Sequence, residues 1–185
     1  MRILAISGSL RRDSQNTMLL RAAAEVLPAG VELAFYDGLK AVPPYDGDDD
    51  VEPAPYEVAA LRAAVAAADA VLISTPEYNS SIPGALKNAL DWASRPMATN
   101  VFRGTPVAVI GSSAGAFGAV WAQAELRKVL AAMGARVVDT EVSVGHASEK
   151  FDGDDRLTDD DVRDQLHDAL AALAAEVSVD QVLAR

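Results

Sequence analysis

Arg2-Ile3-Leu4-Ala5-Ile6-Ser7-Gly8-Ser9-Leu10-Arg11-Arg12-Asp13-Ser14-Gln15-Asn16-Thr17 runs directly into Met18-Leu19-Leu20-Arg21-Ala22-Ala23-Ala24. Ile3 to Ile6 has the character of a buried strand, and the later run is helical in pattern. Between them lie glycine, hydroxyl and cationic side chains. A strand that turns through such a loop into a helix N-terminus aims unpaired backbone N–H groups, and the positive end of a helix dipole, at one spot. A phosphate is the natural guest. The loop lacks the G-x-x-x-x-G-K-[ST] spacing that cradles a nucleoside triphosphate, and no G-x-G-x-x-G follows the first strand. The pattern argues against ATP, and against a dinucleotide pyrophosphate held in the usual way.

The same alternation continues along the chain. Arg2 to Ser7 reads as the first strand and Ser14 to Val26 as the first helix, with Pro28 and Gly30 stopping it. Val31 to Tyr36 is a second strand, and Asp37 to Pro55 a long loop. Its acidic run, Asp46 to Asp50, reads as a solvated surface loop rather than a metal site. Glu57 to Ala68 is a helix, and Ala70 to Ser74 a short strand, apolar up to its final serine and suited to the centre of a parallel sheet. Gly84 to Ser94 is a helix, Val107 to Ile110 a fourth strand, and Gly118 to Met133 a helix closed by Gly134. Arg136 to Val144 holds a fifth strand. Thr158 is expected to cap the last helix, with Asp159, Asp160 and Asp161 in its first turn.

Strand–helix alternation implies an α/β three-layer sandwich with right-handed crossovers. Five strands suit a parallel sheet of flavodoxin-like order 2-1-3-4-5, whose ligand lies beyond the strand carboxyl ends, between the first and third strands. Residues 1–185 read as a single domain, with half of the residues apolar. The net charge of −11 disfavours a nucleic-acid partner. The chain contains no cysteine, which removes disulfides, iron–sulfur clusters and C-x-x-C redox chemistry. Electrons, if moved, would travel on an organic cofactor. No apolar run has the length of a membrane span and the N-terminus lacks a signal-peptide pattern, so a cytoplasmic protein is expected, with no membrane partner. His146 and His167 lie outside the chemistry-bearing loops, and G-x-S-x-G is absent, which leaves little for a hydrolase.

Three loops should meet at the ligand-bearing edge: Gly8 to Thr17, Thr75 to Trp92, and Gly111 to Gly118. The first carries G-S-L-R-x-x-S-x-N at Gly8, Ser9, Leu10, Arg11, Ser14 and Asn16. The second carries P-E-Y-N-x-S-x-P-G-x-L-K-N-A-x-D-W from Pro76 to Trp92, and the third is glycine-rich. In register from Met1 to about Met133, these segments resemble the NADPH-dependent FMN reductase family, whose flavodoxin-like members include quinone, chromate and azo-dye reductases. Beyond Gly134 no diagnostic residue stands out.

The resemblance implies a non-covalent FMN and a nicotinamide co-substrate, NADPH or NADH. Ser9, Arg11, Ser14 and Asn16, with the first-turn N–H groups around Gln15 and Thr17, would hold the phosphate. Pro76, Glu77, Tyr78 and Asn79 would offer main-chain groups to the polar edge of the flavin. Ser112, Ser113 and Gly115 are small enough for a flat ring to approach the backbone. No side chain need act as acid or base, because hydride would pass through flavin N5 to a small-molecule acceptor such as a quinone, free flavin, azo compound or metal oxyanion. Arg12, Arg95 and Arg103 are candidate partners for the 2′-phosphate of NADPH. The Asp13 carboxylate should face solvent, away from the phosphate. Lys87, Asn88, Asp91, Trp92 and Trp121 suit packing or subunit contact. A homodimer or homotetramer is implied. The residues alone also allow a flavodoxin-like electron carrier reduced by a protein partner, or a module that binds a phosphorylated ligand without redox chemistry.

Overall fold

Four parallel strands carry the fold: β1 (Arg2–Ser7), β2 (Glu32–Tyr36), β3 (Ala70–Thr75) and β4 (Pro106–Ser112). The computed structural model describes residues 1–183, with side chains through Ser178. Every residue of β3 and β4 is buried, the mark of central strands covered on both faces. The register pairs Ile6 of β1 with Tyr36 of β2 and Ile73 of β3, and Ile73 with Val109 of β4.

The fifth position is filled in two pieces. β5 (Arg136–Val137) pairs with the start of β4, and β6 (Ser143–Val144) with its end. The order is 2-1-3-4-5, with β6 also on β4. The fifth strand expected within Arg136 to Val144 is thus present in two pieces. Asp139, Thr140 and Glu141 are the polar break, and a side chain substitutes for the missing ladder. Arg127 donates to the carbonyls of Val109 (3.0 Å), Val138 (2.8 Å) and Thr140. Burial lowers the Arg127 pKa from its usual value, against the opposing pull of Asp139 and Glu141.

Helices cover both faces. α1 (Gln15–Glu25) and α5 (Asp160–Leu183) pack on one, around Ile3, Ala5, Leu19, Leu72, Ile110 and Leu173. α2 (Tyr56–Ala66), α3 (Gly84–Ala93) and α4 (Val120–Ala132) pack on the other, around Leu4, Ile73, Trp92, Val109 and Leu126. α4 starts two residues later than its sequence suggests. Gly118 and Ala119 have φ of +58° and +62°, a left-handed pair that helix cannot include. α5 is capped by Asp159 rather than Thr158: Asp159 Oδ1 accepts the Val162 N–H at 3.0 Å, while the Thr158 hydroxyl donates to the Lys150 carbonyl.

The long loop after β2 is tied down by α3. The Trp92 indole N–H and the Asn88 amide both donate to the Pro43 carbonyl at 2.8 Å, and Asn88 Oδ1 accepts the Tyr45 N–H. Trp92 is fully buried, whereas Trp121 stands half exposed against Phe117. Within the acidic run, Asp50 departs from the solvated reading by pairing with Arg62 at 3.2 Å. Among the described residues no group of acidic or histidine side chains is arranged to hold a metal.

Candidate functional site

The three strand-to-helix loops converge beyond the carboxyl ends of β1, β3 and β4. They enclose a cleft of about 200 Å³ lined by Ser9, Arg11, Ser14, Gln15 and Asn16, by Pro76, Glu77 and Tyr78, and by Ser112, Ser113 and Ala114. Ten of the thirteen residues expected at a site lie on its wall.

Its donors are real. Gln15 and Asn16 occupy the first two positions of α1, where no helical carbonyl lies behind them, and among the described residues their N–H groups meet no acceptor. The Arg11 guanidinium is exposed and makes no hydrogen bond among those residues. At the floor, the Ser112 hydroxyl is buried with no partner. An orphaned hydroxyl beneath two orphaned N–H groups and a free cation suits a ligand bearing an anion.

Other expected residues serve the walls. Ser14 caps α1, accepting the Thr17 N–H at 3.3 Å, and its own hydroxyl proton stays available to the cleft. Asn16 is a latch. Its Oδ1 accepts from the Ser74 hydroxyl (2.8 Å) and the Ser112 N–H (3.0 Å), and its Nδ2 donates to the Ser112 carbonyl (3.0 Å). It thereby ties the first loop to β3 and to the third loop, with one amide hydrogen to spare. Gln15 donates to the Ser148 hydroxyl at 2.9 Å.

Thr17, Asn79 and Gly115 fall off the cleft wall. The Thr17 hydroxyl donates to Ser7 Oγ at 2.9 Å, on the far side of the first loop. Asn79 and Ser80, with φ of 54° and 60°, form the two-residue turn between the paired Tyr78 and Ser81. Gly115 turns its carbonyl to the His146 N–H at 2.9 Å. Asp13 is exposed, as expected.

Two supports escaped the sequence reading. The Glu77 carboxylate accepts the Trp121 and Ala122 N–H groups, both at 3.1 Å, and so joins the second loop to the N-terminus of α4. No local pattern links residues this far apart. The second support is the segment 142–147 after β4. Ser113 N–H donates to the Val144 carbonyl, and Ala147 N–H to the Ser113 carbonyl, both at 3.0 Å. The glycine in Val144-Gly145-His146 was the available signal, since a Cβ there would lie 2.1 Å from the Ala116 carbonyl oxygen.

A parallel 2-1-3-4-5 sheet with an anion-seeking turn after its first strand and two more loops closing over it defines a flavodoxin-like α/β protein. Comparison with known proteins narrows the class. The NADPH-dependent FMN reductase family matches residues 1–149, and the chain belongs to that family. It is 40% identical over 173 residues to an NAD(P)H-dependent FMN reductase of Pseudomonas aeruginosa, covering 93% of this chain and 92% of the relative. It is 39% identical to a 2-hydroxy-1,4-benzoquinone reductase of Burkholderia sp, over 96% of each chain. Its fold is similar to that of a flavoenzyme NAD(P)H:(acceptor) oxidoreductase from Paracoccus denitrificans, with a TM-score of 0.86, 33% identity and coverage of 96% and 97%. The protein is an oxidoreductase of the flavin- and nicotinamide-dependent kind.

Proposed function

We propose that the three-loop cleft holds FMN and that the protein passes hydride from NADPH or NADH to a small acceptor, with quinones the leading class. The observation that carries this is the set of orphaned donors at the first turn of α1, together with the buried Ser112 hydroxyl. The N–H groups of Gln15 and Asn16, the Ser9 and Ser14 hydroxyls and Arg11 would hold the phosphate of FMN, and Pro76, Glu77, Tyr78, Ser112, Ser113 and Ala114 would hold its ring. When bound, FMN would supply the hydride acceptor. The chain's residues bind and orient it, and Tyr78, half exposed, is placed to cover a ring or a nicotinamide. Relatives named as quinone reductases support the choice of acceptor.

We further read residues 1–185 as one flavodoxin-like domain that works in the cytoplasm as a homodimer or homotetramer. The exposed Phe117–Trp121 pair beside the third loop suits a subunit contact. No helix among the described residues is long and apolar enough to cross a membrane.

The test is a double replacement, Arg11→Ala with Ser14→Ala, read by binding. Hydrogen bonds to a charged group contribute about 1.5–3 kcal/mol each, so FMN affinity should fall by more than about a hundredfold. Loss of the Ser14 cap weakens α1 for any ligand, so riboflavin, which lacks the phosphate, is the control. Equal losses for the two flavins would remove the phosphate assignment. Anaerobic mixing with NADPH then separates enzyme from carrier: rapid bleaching of the flavin absorbance is expected here, and its absence would favour a carrier reduced by a protein.

A further inference from the structure

A second cavity lies across the first loop from the FMN cleft and is twice its size, about 420 Å³. Ser9 and Arg11 line both, so the two spaces are neighbours over one loop. Its apolar wall is Leu10, Leu39 and Phe35, the last 47% exposed although it is a large aromatic on a strand. Its rim carries Arg11, Arg21 and Lys40 against a lining carboxylate, Asp37. The chain has 27 acidic and 16 basic residues, so a cavity with this excess of cations runs against its overall charge. Among the described residues Lys40 has no hydrogen-bond or ion-pair partner, and Arg21 has only a loose, exposed pair with Asp155 at 3.8 Å.

Resting on the reading above, we propose that this cavity takes the adenosine 2′-phosphate end of NADPH, with Arg21 and Lys40 binding the phosphate, Phe35 stacking on the purine, and the nicotinamide reaching over the first loop to the FMN cleft. Asp37 follows β2 directly, and Arg21 and Lys40 bring positive charge in excess of its carboxylate. Arg95 and Arg103 line a different groove, with Asn100 and Met133, at the amino ends of the strands where β4 begins. One strand length, about 20 Å, separates them from the cleft. Arg12 is exposed and lines neither space.

The experiment titrates the FMN-loaded protein with adenosine 2′,5′-bisphosphate and with 5′-AMP by calorimetry. The bisphosphate should bind at least about tenfold more tightly, and Arg21→Gln with Lys40→Gln should abolish the difference. Both side chains are exposed, so the fold should tolerate the change. In turnover the double variant should raise KM for NADPH about tenfold and leave KM for NADH within about twofold. Equal affinity of the parent for the two probes would overturn the proposal, as would equal losses with NADPH and NADH. Failure here with FMN binding and NADH-driven bleaching intact would sink this assignment alone. Failure to bind FMN would sink the cleft.

Discussion

The first and third loops face each other across one cleft, yet they are held by different means. The first is latched through a side chain. Asn16, 4% exposed, spends its amide on Ser74 and both backbone groups of Ser112. The third is latched through backbone. Val144, His146 and Ala147 bond to Ser113 and Gly115 main chain, and Gly145 lets the two strips of backbone touch. A side-chain latch leaves a signature in residue identity. A backbone latch leaves only a glycine. The two kinds should also fail differently: steric intrusion breaks the second, and loss of hydrogen-bonding atoms breaks the first.

The largest effect is expected from Gly145→Ala. The new Cβ would meet the Ala116 carbonyl oxygen at 2.1 Å and the Gly115 carbonyl oxygen at 3.2 Å, and neither is a flexible side-chain end. Forcing the strips apart should cost about 3 kcal/mol, the upper part of the range for overpacking, read as a lower midpoint in denaturant at unchanged slope. FMN affinity should fall with it, by at least about tenfold, because the ring loses its second wall. A variant as stable as the parent would show that the third loop does not lean on the downstream segment.

Asn16→Ala should do less, about 2 kcal/mol. It strands the Ser74 hydroxyl and the Ser112 N–H and carbonyl, but the cleft beside them admits water to some of these groups. A loss below about 0.5 kcal/mol would mean that the first loop is held by the Ser14 cap and helix packing alone.

This contrast explains which parts of the molecule were legible in sequence. The apolar runs at Ile3–Ile6 and Val71–Ile73 announce central strands, because only strands covered on both faces can be apolar throughout. The hydroxyl-rich turn at Ser9 to Asn16 announces a helix N-terminus, because a small hydroxyl side chain there caps the first turn, as Ser14 does. Legibility ended where partners were distant. Arg127 carries no local signal of its role, yet its guanidinium bridges the gap between β5 and β6. Glu77 reads as part of a motif whose main chain matters, yet its carboxylate caps α4. A fifth strand between Arg136 and Val144 was legible, but not that an arginine would bridge the break in it. Nor does a chain of cations and a lone Phe35 reveal that β2 and α1 bring them to one cavity.

The smallest effect concerns pH and sharpens the contrast between the latches. Below segment 142–147, the chain reaches α5 through Lys150 and Asp159, whose ion pair closes a small exposed loop. The Lys150 ammonium, and then the Val162 N–H, hold the Asp159 carboxyl below its usual pKa. Asp152 is lowered in the same way by the N–H groups of Arg156 and Asp154. For a depressed carboxyl, the stabilisation is complete above its unfolded pKa and is lost as pH falls through the lower, folded one. Acid should therefore loosen residues 150–159 first, and with them the backbone latch on the third loop, before it reaches Asn16, whose amide does not titrate. Hydrogen exchange, corrected for intrinsic rates, should show the His146 and Ala147 N–H groups losing protection at a higher pH than the Ser112 N–H that Asn16 holds. In Asp159→Asn that acid-side step should shrink to the part Asp152 supplies, leaving a protein slightly less stable at neutral pH but flatter in its response to acid. Simultaneous loss of protection at both loops would mean that the two latches open as one cooperative unit.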